Sequence, residues 1–234
     1  MRVSKYCLVF FVGFSFGLFA KEDPLSIARR FLPRNPVVVE AGSRNGKDTC
    51  RIARLWPHGV VYSFEPDPQN YPKCVKATAS LKNIYMFPFA LGAENGVATF
   101  YQSAEPYAPT VSSSSGSLLK PKEHLNLSPT LFPSTVEVEV ITLDSWAKQH
   151  GVTKIDFLWL DVQGVELDIM KSSPRVLEHV KVIMSEVEFV EAYEGQYLFD
   201  DIKVWLEERG FEVVWDDFDL YDPLWAGNIL AVRK

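Results

Sequence analysis

Cysteine and histidine are scarce in this chain, three and four among 234 residues. Cys7, Cys50 and Cys74 lack metal-ligand spacing, and no cluster of His, Asp and Glu supplies it, so no metal centre is expected. Three thiols are too few for a disulfide scaffold, and Cys50 and Cys74 read as buried free thiols. A dense Lys/Arg patch is missing as well. The formal net charge is -6 with both signs interspersed, which argues against nucleic acid as a partner. No apolar run reaches the ~20 residues of a spanning helix. The longest, YCLVFFVGFSFGLFA, follows Arg2 and Lys5 and ends at Ala20. A basic start ahead of about 7–15 apolar residues is the pattern of a secretory signal peptide. Leu18 stands where cleavage prefers a small residue. Residues 1–20 therefore read as a cleaved signal or an uncleaved signal anchor associated with a membrane. The plain alternative is a buried structural helix in a cytoplasmic protein.

What the chain does have is the composition of one ordinary α/β domain, 47% hydrophobic and 23% charged over 234 residues. After a linker and an amphipathic stretch at Pro24–Leu32, within residues 21–36, short apolar runs alternate with helical segments. Strands are expected at Val37–Ala41, Val60–Phe64 and Asn83–Phe89, and helices at Lys47–Leu55 and Pro68–Ser80. This spacing is that of βαβ units and a parallel sheet. Val97–Tyr101 and Val136–Ile141 alternate in period two and predict an added strand pair. Between them, residues 102–135 are rich in Ser and Pro and lack periodicity; a lid over the substrate side and a disordered segment both fit. Strands return at Ile155–Val162 and Lys181–Val187, and helices at Glu166–Lys171 and Leu198–Arg209. Phe211–Trp215 and Ile229–Val232 are expected to pair as an antiparallel hairpin.

The first strand runs into a glycine turn, VVVEAGSRNGKDT, at Val37 to Thr49. In an open parallel sheet a ligand binds at the carboxyl ends of the strands, where the strand order reverses. Gly42 and Gly46 let backbone approach such a ligand closely. A dinucleotide site would require G-x-G-x-x-G, so that a pyrophosphate meets the helix N-terminus. Here the spacing is G-S-R-N-G, and Glu40 before it would repel a pyrophosphate but attract an ammonium group. Glu65, in VYSFEPD, ends the second strand where an acid usually grips ribose hydroxyls. An amino-acid head at the turn and a ribose at Glu65 together describe S-adenosyl-L-methionine.

From Val37 to the C-terminus the chain resembles the FkbM family of S-adenosylmethionine-dependent methyltransferases. The stretches that carry the resemblance are VVVEAGSRNG, VYSFEPDPQNY, NIYMFPFALGAENG, VEVITLDSW and IDFLWLDVQGVELDIMK. The resemblance implies a domain at residues 37–234 with the class I methyltransferase fold, a Rossmann-like seven-stranded sheet whose last strand is antiparallel. It also implies methyl transfer to oxygen, on a sugar, glycan, lipid or other small-molecule acceptor. By position it assigns Glu40, Gly42, Ser43, Asn45 and Gly46 to the first cofactor motif, Glu65 to the ribose, and Ala90 and Leu91 to the adenine edge. Asp161 matches the family acid at the end of the fourth strand, beside the methyl donor, with Gly164 and Glu166 completing that motif. Family members often carry Lys and Glu where this chain has Trp159 and Gln163.

A hydroxyl is a weak nucleophile and calls for a general base. Asp161 is the first candidate, with a pure cofactor contact as the alternative. Glu166 is the second, against ordinary charge complementarity at a helix start. Glu186 and Glu188, on MSEVEF, share one strand face and could bind substrate hydroxyls or a cation, or lie on a solvated strand end. His124 is expected on an exposed loop, with a base in the lid as the alternative, and Trp215 and Trp225 in the core, with sugar stacking as the alternative. A catalytically silent binding protein with the same fold is the second function class.

Overall fold

A computed structural model describes residues 21–234. The leader at residues 1–20, with Cys7, lies outside the described residues. Among the described residues no helix is long and apolar enough to cross a membrane. In chain order the strands are β1 (Val37–Ala41), β2 (Val60–Phe64), β3 (Ile84–Phe87), β4 (Ala90–Leu91), β5 (Gly96–Glu105), β6 (Ala108–Ser112), β7 (Leu131–Ile141), β8 (Phe157–Leu160), β9 (Val182–Glu188), β10 (Phe211–Asp216) and β11 (Ala226–Arg233). The helices are α1 (Pro24–Ala28), α2 (Lys47–Leu55), α3 (Tyr71–Thr78), α4 (His124–Leu127), α5 (Leu143–Gln149), α6 (Glu166–Lys171), α7 (Pro174–Leu177) and α8 (Phe199–Glu208).

Seven strands form the main sheet in the order β10-β11-β9-β8-β1-β2-β3. The pairs β1–β2, β2–β3, β1–β8 and β8–β9 are parallel, whereas β11 runs antiparallel to both β9 and β10. The expected class I methyltransferase arrangement and its final hairpin are therefore present. The unbroken valines of β1 follow from its central place. Val39 faces one buried layer with Leu158, Leu160 and Trp146, and Val38 faces the other with Ile52, Trp56 and Phe157. A strand covered on both faces has no polar side to alternate with. Leu25, Ile27 and Ala28 of α1 join that second layer, so residues 21–36 are part of the packed domain.

Three expectations are corrected. The second helix begins at Tyr71, not Pro68, because the Asp67 carboxylate accepts the Gln69 N–H at 2.9 Å and holds a turn there. Pro72 takes the first-turn place instead. The third strand stops at Phe87 before Pro88, and Ala90–Leu91 joins a second sheet, ordered β4-β7-β5-β6. Residues 102–135 are not disordered, and only 106–107, 113–123 and 128–130 lie outside regular elements. They extend β5 to Glu105 and start β7 at Leu131, with β6 and α4 between. The first seven residues of β7 are exposed or half-exposed on both faces, so no apolar alternation marks them in sequence.

Candidate functional site

The chain runs outward from β1 through β2 to β3 and returns on the other side of β1 as β8, so strand order reverses between β1 and β8. Two turns meet there. After β1, Gly42 adopts φ +94°, and its N–H and that of Ser43 donate to the Phe64 carbonyl at 3.0 and 3.2 Å. A Cβ at Gly42 would lie 1.8 Å from the Asp161 carbonyl oxygen. The ends of β1 and β8 thus touch backbone to backbone, which only glycine permits.

Below this turn Glu40 is buried. Its Oε2 accepts the Thr49 hydroxyl at 2.5 Å and the Ser63 hydroxyl at 2.6 Å, and burial raises its carboxyl to about 7. The Ser43 hydroxyl pairs with that of Ser63 and donates to the Phe64 carbonyl at 3.1 Å. Asn45 Oδ1 accepts the Lys47 N–H at 3.0 Å, and Gly46 caps α2 with φ +75°. These residues shape the turn, while Gly42 and Arg44 face the cleft beside it. Glu65, at the end of β2, is buried as well. Its Oε2 accepts the Arg44 N–H at 2.6 Å and its Oε1 the Asp67 N–H at 3.0 Å. One carboxylate therefore ties the two turns together, and burial raises it to about 7.

The cleft so formed encloses about 630 Å³, counting the open solvent at its mouth. Its walls are Gly42 and Arg44, Glu65 and Asp67, Ala90 and Leu91, and Asp161 and Val162. Phe100, Ser113, Ser114, Gly116 and Leu118 complete it from the inserted sheet. The insert is anchored there, since the Gln102 amide donates to Asp67 Oδ1 at 2.8 Å.

Beyond β8 the loop 161–165 is held from inside. Glu166 Oε1 accepts the Val162 N–H and Oε2 the Gly164 N–H, both at 2.9 Å. Both oxygens are engaged, the residue is 1% exposed, and it lines neither cavity described here. In this arrangement Glu166 holds the loop. Gln163 sits at φ +60°. Its amide N–H groups donate to Asp161 Oδ1 at 3.1 Å and to Glu186 Oε2, while its Oε1 accepts the Tyr193 hydroxyl at 2.7 Å. Burial raises the Asp161 carboxyl. Burial, followed by the charges of Asp161, Glu188 and Glu166, holds Glu186 well above the usual carboxylate range.

A second cavity of about 670 Å³ adjoins the first. Ser114 borders both, and Gln163, Glu186, His124, Ser128, Thr130, Tyr221, Trp225 and Asn228 line the second. Here three further expectations fail. His124 is 1% exposed, with its ring packed on Phe132, Tyr193 and Trp225; burial lowers its pKa. Glu188 is buried, so β9 does not end in solvent. Trp225 lines a cavity instead of filling the core. Phe100, Ser113, Ser114, Gly116 and Leu118 escaped sequence reasoning; the run SSSSG was the only local mark they carried. Cys50 and Cys74 are buried free thiols, as expected. Among the described residues no group of three His, Cys, Asp or Glu side chains is arranged to hold a metal ion.

Comparison with known proteins gives the family. The family model for the methyltransferase FkbM domain matches residues 40–213. A 2-O-methyltransferase of Sinorhizobium fredii (strain NBRC 101917 / NGR234), NoeI, is 32% identical over 163 residues, covering 69% of this chain and 67% of the relative. Methyltransferase sdnD of Sordaria araneosa is 25% identical over 203 residues, 79% of this chain and 77% of the relative. Among solved structures, an rRNA methylase from Streptococcus thermophilus superposes with a TM-score of 0.51 at 12% identity, over 92% of this chain and 98% of that one. That likeness concerns the fold alone.

Proposed function

The chain belongs to the FkbM methyltransferase family, and from that premise we propose that it methylates a hydroxyl oxygen of a sugar, glycan, lipid or other small acceptor, with S-adenosyl-L-methionine as donor. The observation that carries this reading is the cleft at the strand-order reversal, where a Cβ-free turn meets the end of β8 between two buried acids. One relative, a 2-O-methyltransferase, supports oxygen as the methylated atom.

The residues present fit the donor. The missing Cβ at Gly42 lets the Asp161 carbonyl approach, and so brings together the two turns that border the cleft where the donor's amino-acid end would lie. Asp161 and Arg44 would hold that end, Glu65 the ribose hydroxyls, and Ala90 and Leu91 the adenine edge. Bound there, S-adenosyl-L-methionine supplies an electrophilic methyl group. The chain's own work is positioning. The loop fixed by Glu166 aims Asp161 and Gln163, and the insert covers the cleft and limits water. Alignment of donor and acceptor accounts for most of the acceleration expected in such a displacement.

Calorimetric titration with S-adenosylhomocysteine tests the donor site. Glu65→Ala removes charge-assisted hydrogen bonds worth ~1.5–3 kcal/mol each, and with water replacing them in part affinity falls roughly tenfold to a few hundredfold. Wild-type protein that ignores S-adenosylhomocysteine, or a variant with undiminished affinity, would sink this reading.

Residues 1–20 act, on this proposal, as a signal anchor, with residues 21–36 and the domain at 37–234 folded beyond it. An anchored domain facing the cytoplasm keeps access to a donor made there, which an exported domain would lose. Fused to a reporter, residues 1–20 should move it to the membrane fraction with the reporter protected from external protease. A reporter that stays soluble in the cytosol refutes the assignment.

A further inference from the structure

We propose that the second cavity receives the acceptor and that Glu186, on its wall, takes the hydroxyl proton during methyl transfer. This rests on the methyltransferase reading above and adds the proton acceptor to it.

The geometry is that of two chambers meeting at one amide. Asp161 lines the donor cleft, whereas Glu186 and Gln163 line the second cavity. The Gln163 side chain spans the boundary and donates to both carboxylates. Its orientation is set, because the Tyr193 hydroxyl donates to its Oε1 at 2.7 Å and leaves the NH₂ group facing the acids. The backbone is set too: the Ser117 hydroxyl donates to the Gln163 carbonyl at 2.6 Å. A hydroxyl in the second cavity meets Glu186 on the wall that Gln163 links to Asp161 of the donor cleft. The rest of the lining suits a polyhydroxylated molecule. Ser128 and Thr130 offer hydroxyls, Asn228 an amide, and Trp225 and Tyr221 aromatic surface. His124 lines the same cavity, but its Nδ1 is buried without a partner, and its ring is wedged among aromatics.

The charged and titratable groups around Glu186 are Asp161 after β8, Glu166 on α6, Glu188 on β9, Tyr193 beyond it, and Tyr221 before β11. Burial and the neighbouring carboxylates favour the protonated form of Glu186 in the free protein. A cationic ligand in the adjoining cleft reverses that balance, since positive charge nearby stabilises the carboxylate. Donor arrival therefore releases a proton and leaves Glu186 ready as a base. In the step itself the acceptor O–H bond breaks, and its proton joins Glu186 Oε. The oxygen keeps the electron pair with which it bonds the methyl carbon, the methyl–sulfur bond breaks with its pair left on sulfur so that S-adenosylhomocysteine departs, and Glu186 later returns the proton to solvent.

The full chain should be titrated with S-adenosylmethionine and with uncharged-sulfur S-adenosylhomocysteine, in phosphate and in Tris buffer at pH 7. These buffers differ in ionisation enthalpy, so the paired heats count protons. Wild-type protein should release more protons with S-adenosylmethionine than with S-adenosylhomocysteine. Glu186→Gln should erase that difference while its S-adenosylhomocysteine affinity stays within about threefold. Glu186→Asp keeps the acid and should retain the proton difference. With labelled donor and a panel of methyl hexopyranosides, Glu186→Gln should lower turnover by about 10²–10⁴. An undiminished proton difference in Glu186→Gln overturns the proposal, as does a donor affinity that collapses with it. Failure of the wild-type protein to bind S-adenosylhomocysteine would instead strike at the donor site.

Discussion

Gly42→Ala should all but abolish S-adenosylhomocysteine binding and lower the melting temperature by several degrees. The native φ is +94°, and the new Cβ would lie 1.8 Å from the Asp161 carbonyl oxygen. Neither atom can yield as a flexible side chain would, because both belong to the meeting ends of β1 and β8. Backbone strain alone costs about 1–3 kcal/mol, and in a chain of this size each kcal/mol is worth roughly 2–4 °C. The steric cost adds to this, and separating the two turns takes Glu65 and Asp161 out of common reach. An affinity loss beyond about a hundredfold is expected. Gly151→Ala is the control. It too has positive φ, at +66°, but its Cβ would meet nothing within 4 Å. That variant should lose only modest stability and no affinity. Equal behaviour of the two variants would show that the close approach at Gly42 is immaterial to the site.

Asp161→Asn should reduce kcat/KM for methyl transfer by about 10²–10³, much of it through weaker donor binding. The substitution preserves shape and removes the charge that faces the donor cleft. It also leaves Gln163 bonded to an amide in place of a carboxylate, which loosens the side chain that presents Glu186. If Asp161 holds the donor, S-adenosylhomocysteine affinity should fall about tenfold to a hundredfold. Turnover lost at unchanged affinity would transfer the base role from Glu186 to Asp161. Full activity and affinity together would remove Asp161 from the site altogether.

Much of the main sheet was legible along the chain because its strands and turns are short-range patterns. The buried run at Val37–Ala41, the glycines after it and the acid at Glu65 each follow from local chemistry, and their order implied the family. The acidic side chains themselves were also visible, but their duties were not. Glu166 reads in sequence as a helix-start acid near a catalytic motif. Only folding turns its two oxygens onto the Val162 and Gly164 N–H groups. Gln163 read as a departure that removed a charge, yet its amide bonds Asp161 and also Glu186, 23 residues further along the chain.

The inserted sheet marks the same boundary from the other side. Its strands are exposed over much of their length, so the period-two signal that burial imposes is absent from Leu131 to Thr135. The serines at 112–115 carry no positional message, and His124 and Trp225 are far apart in sequence. By itself the amino-acid order determined the parallel sheet, the turn that suits the donor and the identity of its acids, because each depends on residues within a strand, a turn or a helix. Tertiary structure alone decided which acids face a cavity and which hold a loop, and that a second chamber stands beside the first. Those outcomes depend on contacts between distant segments, where burial shifts an acid's proton affinity and a neighbouring donor fixes its direction.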